Sequence, residues 1–153
     1  MLNQLALASA MVALTVVIHL VGLTVLIRLL RSHGRLARKL RILPMTLLLT
    51  ASMGLFAIHT IEIWFYAVLF LALGAFKHFE EALYFSTVTY ATIGYGDVVM
   101  PLNWRILGAI EGATGILMLG WSTAFLVSLL SQLKLLRHDW LTPTESVSEL
   151  NGR

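Results

Sequence analysis

The sequence predicts an all-α membrane protein with three spanning helices and one short helix that enters the membrane and turns back. Three observations carry this. Hydrophobic residues make up 58% of the 153 positions and charged residues only 12%, about half the charged share of a soluble domain. Three apolar runs, Leu5 to Ile27, Ile42 to Phe76 and Ile106 to Leu133, each exceed the roughly 20 residues that a helix needs to cross hydrocarbon. Between the second and third runs lies TVTYATIGYGDVV, residues 87–99, polar and glycine-bearing.

The first run, with its flanks, predicts a helix over 1–30. It lacks a basic leader segment and is too long for the apolar part of a signal peptide. A basic cytoplasmic loop is expected over 31–41, because six of the eleven Lys and Arg residues fall between Arg28 and Arg41 and short basic loops stay in the cytoplasm. The amino terminus is then outside, the second helix runs outward and the third returns. Lys134 and Arg137 agree with that orientation. The arginines at 28, 31, 35, 38 and 41 recur every three or four residues, as in a voltage sensor. Gly34 interrupts them, and the first run offers no acidic partner, so a positive-inside segment is the favoured reading. Arg31, Arg35, Arg38, Lys39 and Arg41 are expected to attract anionic lipid rather than nucleic acid.

The second and third runs predict helices over 42–76 and 104–136, long enough to tilt. Trp104 and Trp140 are expected to anchor helix ends at the interface. The polar segment 137–153 is expected to be a disordered cytoplasmic tail. With no cysteine, disulfides and thiolate metal sites are excluded. The length leaves no room for a second soluble domain of ordinary size, and the few carboxylates and histidines form no recognisable catalytic set. No enzyme and no cofactor is expected.

FEEALYFSTVTYA precedes the glycine loop and predicts a short helix over 80–91, with Glu80 and Glu81 in the first turn, where the helix dipole favours negative charge. Too short to span, it dips in and returns as an extended segment over 92–97. Non-helical backbone at that depth is tolerated only inside protein or lining water. Gly94 and Gly96 reach dihedrals closed to other residues. Alternating such positions lets successive carbonyls face one axis, where several chains supply rings of oxygens for a cation. Thr92 adds a hydroxyl, and Tyr95 and Asp97 brace the loop from behind.

TIGYGD resembles the selectivity filter of potassium channels. The resemblance covers roughly Ile42 to Leu136: outer helix, pore helix, filter and inner helix, with the first helix outside it. It implies a homotetramer, four subunits around one axis, conducting K+ passively. It implies K+ sites at Thr92, Ile93, Gly94 and Tyr95, with Gly96 completing the filter and Asp97 at the outer mouth. Tyr84 and Phe85 match the aromatic cuff around the filter. Tyr84 keeps a donor within reach of Asp97, whereas Phe85 supplies none. Val88 stands where some relatives carry a bracing glutamate, so inactivation by that route is not implied. Gly115 matches the inner-helix hinge, and Ile116, Leu119 and Thr123 match cavity-lining positions. Compactness points to a bacterial plasma membrane.

Ionisable residues inside the membrane face protein or water. Glu111 falls near filter depth. It either bonds a pore-helix hydroxyl such as Thr87 or Thr89 and tunes the filter, or plays a neutral packing role. His59 and Glu62 are three apart on one helix face and form a pair, either sensing protons or packing as a neutral hydrogen-bonded unit. His19 is expected to be a packed or lipid-facing single residue. Gly108 and Gly112 have the spacing of a close helix contact against the pore helix. A nonconducting regulatory subunit and a weakly selective cation channel are the alternative readings.

Overall fold

The computed structural model describes residues 2–37 and 43–133. These form four α-helices and one 3₁₀ turn: α1 (Leu2–Ala37), α2 (Leu43–Ala72), α3 (Phe79–Tyr90), the turn Leu102–Trp104, and α4 (Arg105–Gln132). There is no strand among the described residues. Three helical segments, Leu2–Ser32, Met45–Ala72 and Leu102–Gln132, are long and apolar enough to cross a membrane. The chain is an all-α integral membrane protein.

The first difference from expectation is the basic segment. Residues 31–37 are not loop but the end of α1. At about 1.5 Å per residue, 36 residues reach about 54 Å, well beyond the hydrocarbon layer. Gly34 costs about 1 kcal/mol in a helix interior, too little to stop a helix already propagating through Arg, Leu and Ala. Ser32 donates to the Leu29 carbonyl at 2.8 Å within the same turn. The expected lipid contacts at Arg38, Lys39 and Arg41, the side chain of Arg35, Lys134, Arg137, Trp140 and the expected tail over 137–153 lie outside the described residues.

The outer helix α2 stops at Ala72 rather than 76. Gly74, at φ 66°, closes it. Gly74 N–H donates to the Leu71 carbonyl at 3.0 Å and Ala75 N–H to that of Phe70 at 2.9 Å, the paired bonds of a Schellman ending. The pore helix α3 begins and ends one residue earlier than expected. The inner helix begins at Arg105 after the 3₁₀ turn, and Leu133 caps its far end.

Helix α1 packs on α2 and α4, and α3 is wedged between α2 and α4. One core joins α1, α2, α3 and α4 through Met11, Tyr66, Phe70, Phe76, Phe85 and Leu107. A second, towards the far end of α1, joins Leu26, Leu30, Ala51, Leu55 and Ile58. There the helices nearly touch: a Cβ on Gly54 would lie 2.4 Å from Leu26 Cδ1. Small residues at a membrane interface permit this approach. The wedge fixes where α3 ends, and so where the glycine loop begins.

Candidate functional site

The loop grows from the carboxyl end of α3. Thr92 N–H donates to the Thr89 carbonyl at 3.0 Å. The Val88 carbonyl accepts twice, from Ile93 N–H at 2.8 Å and Gly94 N–H at 3.1 Å. Left-handed φ values recur at alternate positions: 62° at Thr92, 57° at Gly94 and 78° at Gly96. The glycines adopt them freely, whereas a β-branched threonine there is a real outlier. No local sequence rule announces the strained Thr92; it follows from the way the loop leaves the helix end. Ile93 and Tyr95 are 51% and 70% exposed on the single chain. Exposed apolar surface of this kind is available for contact with other molecules.

The outer end of the loop is pinned by Asp97. Tyr84 donates its hydroxyl to Asp97 Oδ2 at 2.6 Å, and Val98 N–H donates to Oδ1 at 3.0 Å. The Tyr84 bond holds the Asp97 carboxyl below the ordinary aspartate range, and the same bond pushes the Tyr84 phenol up. Phe85, on the next position of α3, turns instead into the aromatic core, with its ring 5.2 Å from Phe76 and 5.7 Å from Phe70. It anchors the pore helix from behind.

Glu111 is fully buried on α4 and accepts a hydrogen bond from Ser86 of the pore helix. The expected partners were Thr87 or Thr89. The helix phase decides otherwise: Thr87 donates back to the Leu83 carbonyl at 2.7 Å on an exposed face, while Ser86 is buried. Glu111 Oε2 has no hydrogen-bond partner among the described residues.

Three glycines of α4 run beside α3. A Cβ on Gly108 would meet the Phe85 ring at 3.2 Å, one on Gly112 the Thr89 carbonyl at 3.5 Å, and one on Gly115 the Tyr90 carbonyl oxygen at 2.1 Å. Gly115 is therefore where the inner helix passes against the last turn of the pore helix. The next residue, Ile116, and Leu119 about one turn on are 62% and 36% exposed. Thr123 is exposed too and donates to the Leu119 carbonyl at 2.9 Å.

Deeper in, four helices meet at a polar cluster. His59 Nδ1 lies 3.1 Å from Glu62 Oε2 and 3.1 Å from the Tyr90 hydroxyl. Its Nε2 lies 2.8 Å from Ser122 Oγ, and Tyr90 donates to Glu62. His19 was expected to stand alone; it is fully buried, with Nδ1 3.0 Å from Glu62 Oε1. A single histidine in an apolar run gave no sign of this partner, which α1–α2 packing supplies from 43 positions away.

A short helix followed by a loop of alternating handedness, clasped between two helices long and apolar enough to span, defines an all-α membrane protein with a non-helical segment between its last two spans. The model of a family described as ion channel matches residues 45–132, more than half of the chain, and the protein belongs to that family. The match takes in α2, α3, the loop and α4, and leaves α1 outside. No curated protein and no solved structure matches the chain.

Proposed function

We propose that the protein is a potassium-selective channel, a homotetramer in which Thr92, Ile93, Gly94, Tyr95 and Gly96 of each chain form one quarter of the filter. The observation that carries this reading is the alternation of left-handed φ at Thr92, Gly94 and Gly96 within the sequence TIGYGD. Alternating handedness turns successive carbonyls to one side of the ribbon. Four such ribbons replace the hydration shell of K+ with oxygens. Helix α3 ends at the loop, so the negative end of its dipole supports a cation there. Asp97 and Tyr84 brace the outer mouth, and Glu111 steadies the pore helix from behind through Ser86. The face carrying Ile116, Leu119 and Thr123 lines the inner cavity. The chain sits with its amino terminus outside and its basic segment in the cytoplasm of a bacterial plasma membrane.

The test is flux into liposomes holding the purified protein, with Na+ as competitor and Ba2+ as blocker. Ba2+-sensitive uptake strongly favouring K+ is expected. Equal passage of both ions would replace the reading with a weakly selective cation channel. No flux across voltage and pH would favour a nonconducting subunit.

A further inference from the structure

The polar cluster below the filter is larger than an ion path requires, and it reaches α1, which lies outside the ion-channel match. We propose that His19, His59 and Glu62 bind a divalent transition-metal ion, Zn2+ foremost, within the membrane-spanning part of the protein. One ligand atom from each of the three lies within 4.8 Å of the others. The two imidazole nitrogens stand 3.0 and 3.1 Å from separate oxygens of the same carboxylate. Those separations approach the edge of a tetrahedron around Zn2+ with bonds of about 2.0 Å, which is about 3.3 Å. The third edge, between the two imidazoles, is within 4.8 Å, so binding draws the two rings together toward that same edge length.

The surroundings hold two of the three ligating side chains, His59 and Glu62, through polar partners. A metal-bound imidazole is oriented by a partner on its other nitrogen. His59 Nε2 has one in Ser122 Oγ at 2.8 Å. Tyr90 holds Glu62 Oε2, and its hydroxyl stands 3.1 Å from His59 Nδ1, placed to meet the fourth position directly or through water. His19 has a single polar engagement: its Nε2 is buried with no hydrogen-bond partner among the described residues, so Nδ1 toward the site is what orients its polarity. Its ring is otherwise held by packing, 5.4 Å from His59 and 6.1 Å from Trp121.

Chemistry narrows the ion. Two imidazoles and a carboxylate suit zinc and its first-row neighbours, whereas Ca2+ and Mg2+ take oxygen donors. Neutral imidazoles ligate through Nδ1 once their protons sit on Nε2, and His59 then donates to Ser122. The buried Glu62 carboxylate is the one anionic donor of the set, and a dication is attracted to it. Bound metal would staple α1 to the outer helix and, through Tyr90, to the end of the pore helix.

The experiment is Co2+ titration of the purified full chain in detergent, followed by visible absorption, with Zn2+ as competitor. It reads metal binding alone and stands whether or not the filter prefers K+. Four-coordinate Co2+ bands at one ion per chain are expected, abolished by equimolar Zn2+. His19→Gln should weaken binding about a hundredfold, since even the partners of ligands are worth ten- to a hundredfold. The exposed His78 serves as control, and His78→Gln should change nothing. Absence of bands in the parent chain overturns the proposal, as does binding lost in His78→Gln and kept in His19→Gln. If His19→Gln does not fold, X-ray absorption of the Zn2+-loaded parent chain decides: a spectrum without imidazole scattering overturns the site.

Discussion

The glycine at 115 is the sharpest place to test how the inner helix and pore helix work together. Replacing it with alanine adds one methyl group. In this structure that methyl would stand 2.1 Å from the Tyr90 carbonyl oxygen, 2.9 Å from its carbon and 3.0 Å from its Cα. An ordinary carbon–oxygen contact is about 3.3 Å or longer, so α3 and α4 must part by about 1 Å. The obstacle is backbone, which cannot rotate aside, and the Tyr90 side chain is locked to Glu62 and buried. Overpacking of this kind costs about 1–3 kcal/mol, and a backbone obstacle places it at the upper end. The displaced atoms belong to the last turn before Thr92, so the loop moves with them. Gly112→Ala is the matched control, because its methyl would sit 3.5 Å from the Thr89 carbonyl, an ordinary contact, and alanine adds about 1 kcal/mol of helix propensity. Thermal unfolding in detergent and K+ flux are measured side by side. Gly115→Ala should unfold several degrees lower and lose flux, while Gly112→Ala should match or exceed the parent. A Gly115→Ala chain of unchanged stability and altered opening would refute this reasoning and return the position to the hinge role implied by resemblance.

Further outcomes follow from the same geometry. Gly94→Ala forces a side chain to φ 57°, costing about 1–2 kcal/mol per chain, and K+ flux should fall far more than stability does. Ser86→Ala removes the one hydrogen bond of buried Glu111 among the described residues and should lower stability by about 1–3 kcal/mol, read by thermal unfolding. Tyr84→Phe deletes the Asp97 contact. Because that contact depresses the Asp97 carboxyl, its contribution is present above the ordinary aspartate range near 3.9 and is lost only as pH falls through the lowered value. Tyr84→Phe should therefore move the acid limit of K+ flux upward, and an unmoved limit would show that Asp97 is braced by Val98 alone.

The spans, the short helix and the glycine loop were legible because each rests on a local signal. Apolar length sets a membrane helix, and the Glu80–Glu81 start with a run free of turn residues sets the pore helix. Gly94 and Gly96 announce unusual dihedrals without help from any neighbour. The His59–Glu62 pair was legible for the same reason, since three residues on one helix are always neighbours. What failed in the reading failed for want of context. Gly34 looked like a break, but an established helix absorbs it. Glu111 had several hydroxyls of the pore helix to choose from, and the rotational setting of α3 against α4 selected Ser86. His19 looked solitary because its partner lies on another helix.

Composition and periodicity thus determined by themselves that this chain is helical and lies in the membrane, and that a short helix and a glycine-bearing loop separate its last two spans. Those properties depend on the solvent preference of each residue and on hydrogen bonds within one segment. The partner of Glu111, the reason for glycine at 115, the left-handed Thr92 and the meeting of His19, His59 and Glu62 were decided by tertiary packing. Each depends on the distance and rotation between helices, which side-chain volume over the whole core sets and no local stretch encodes.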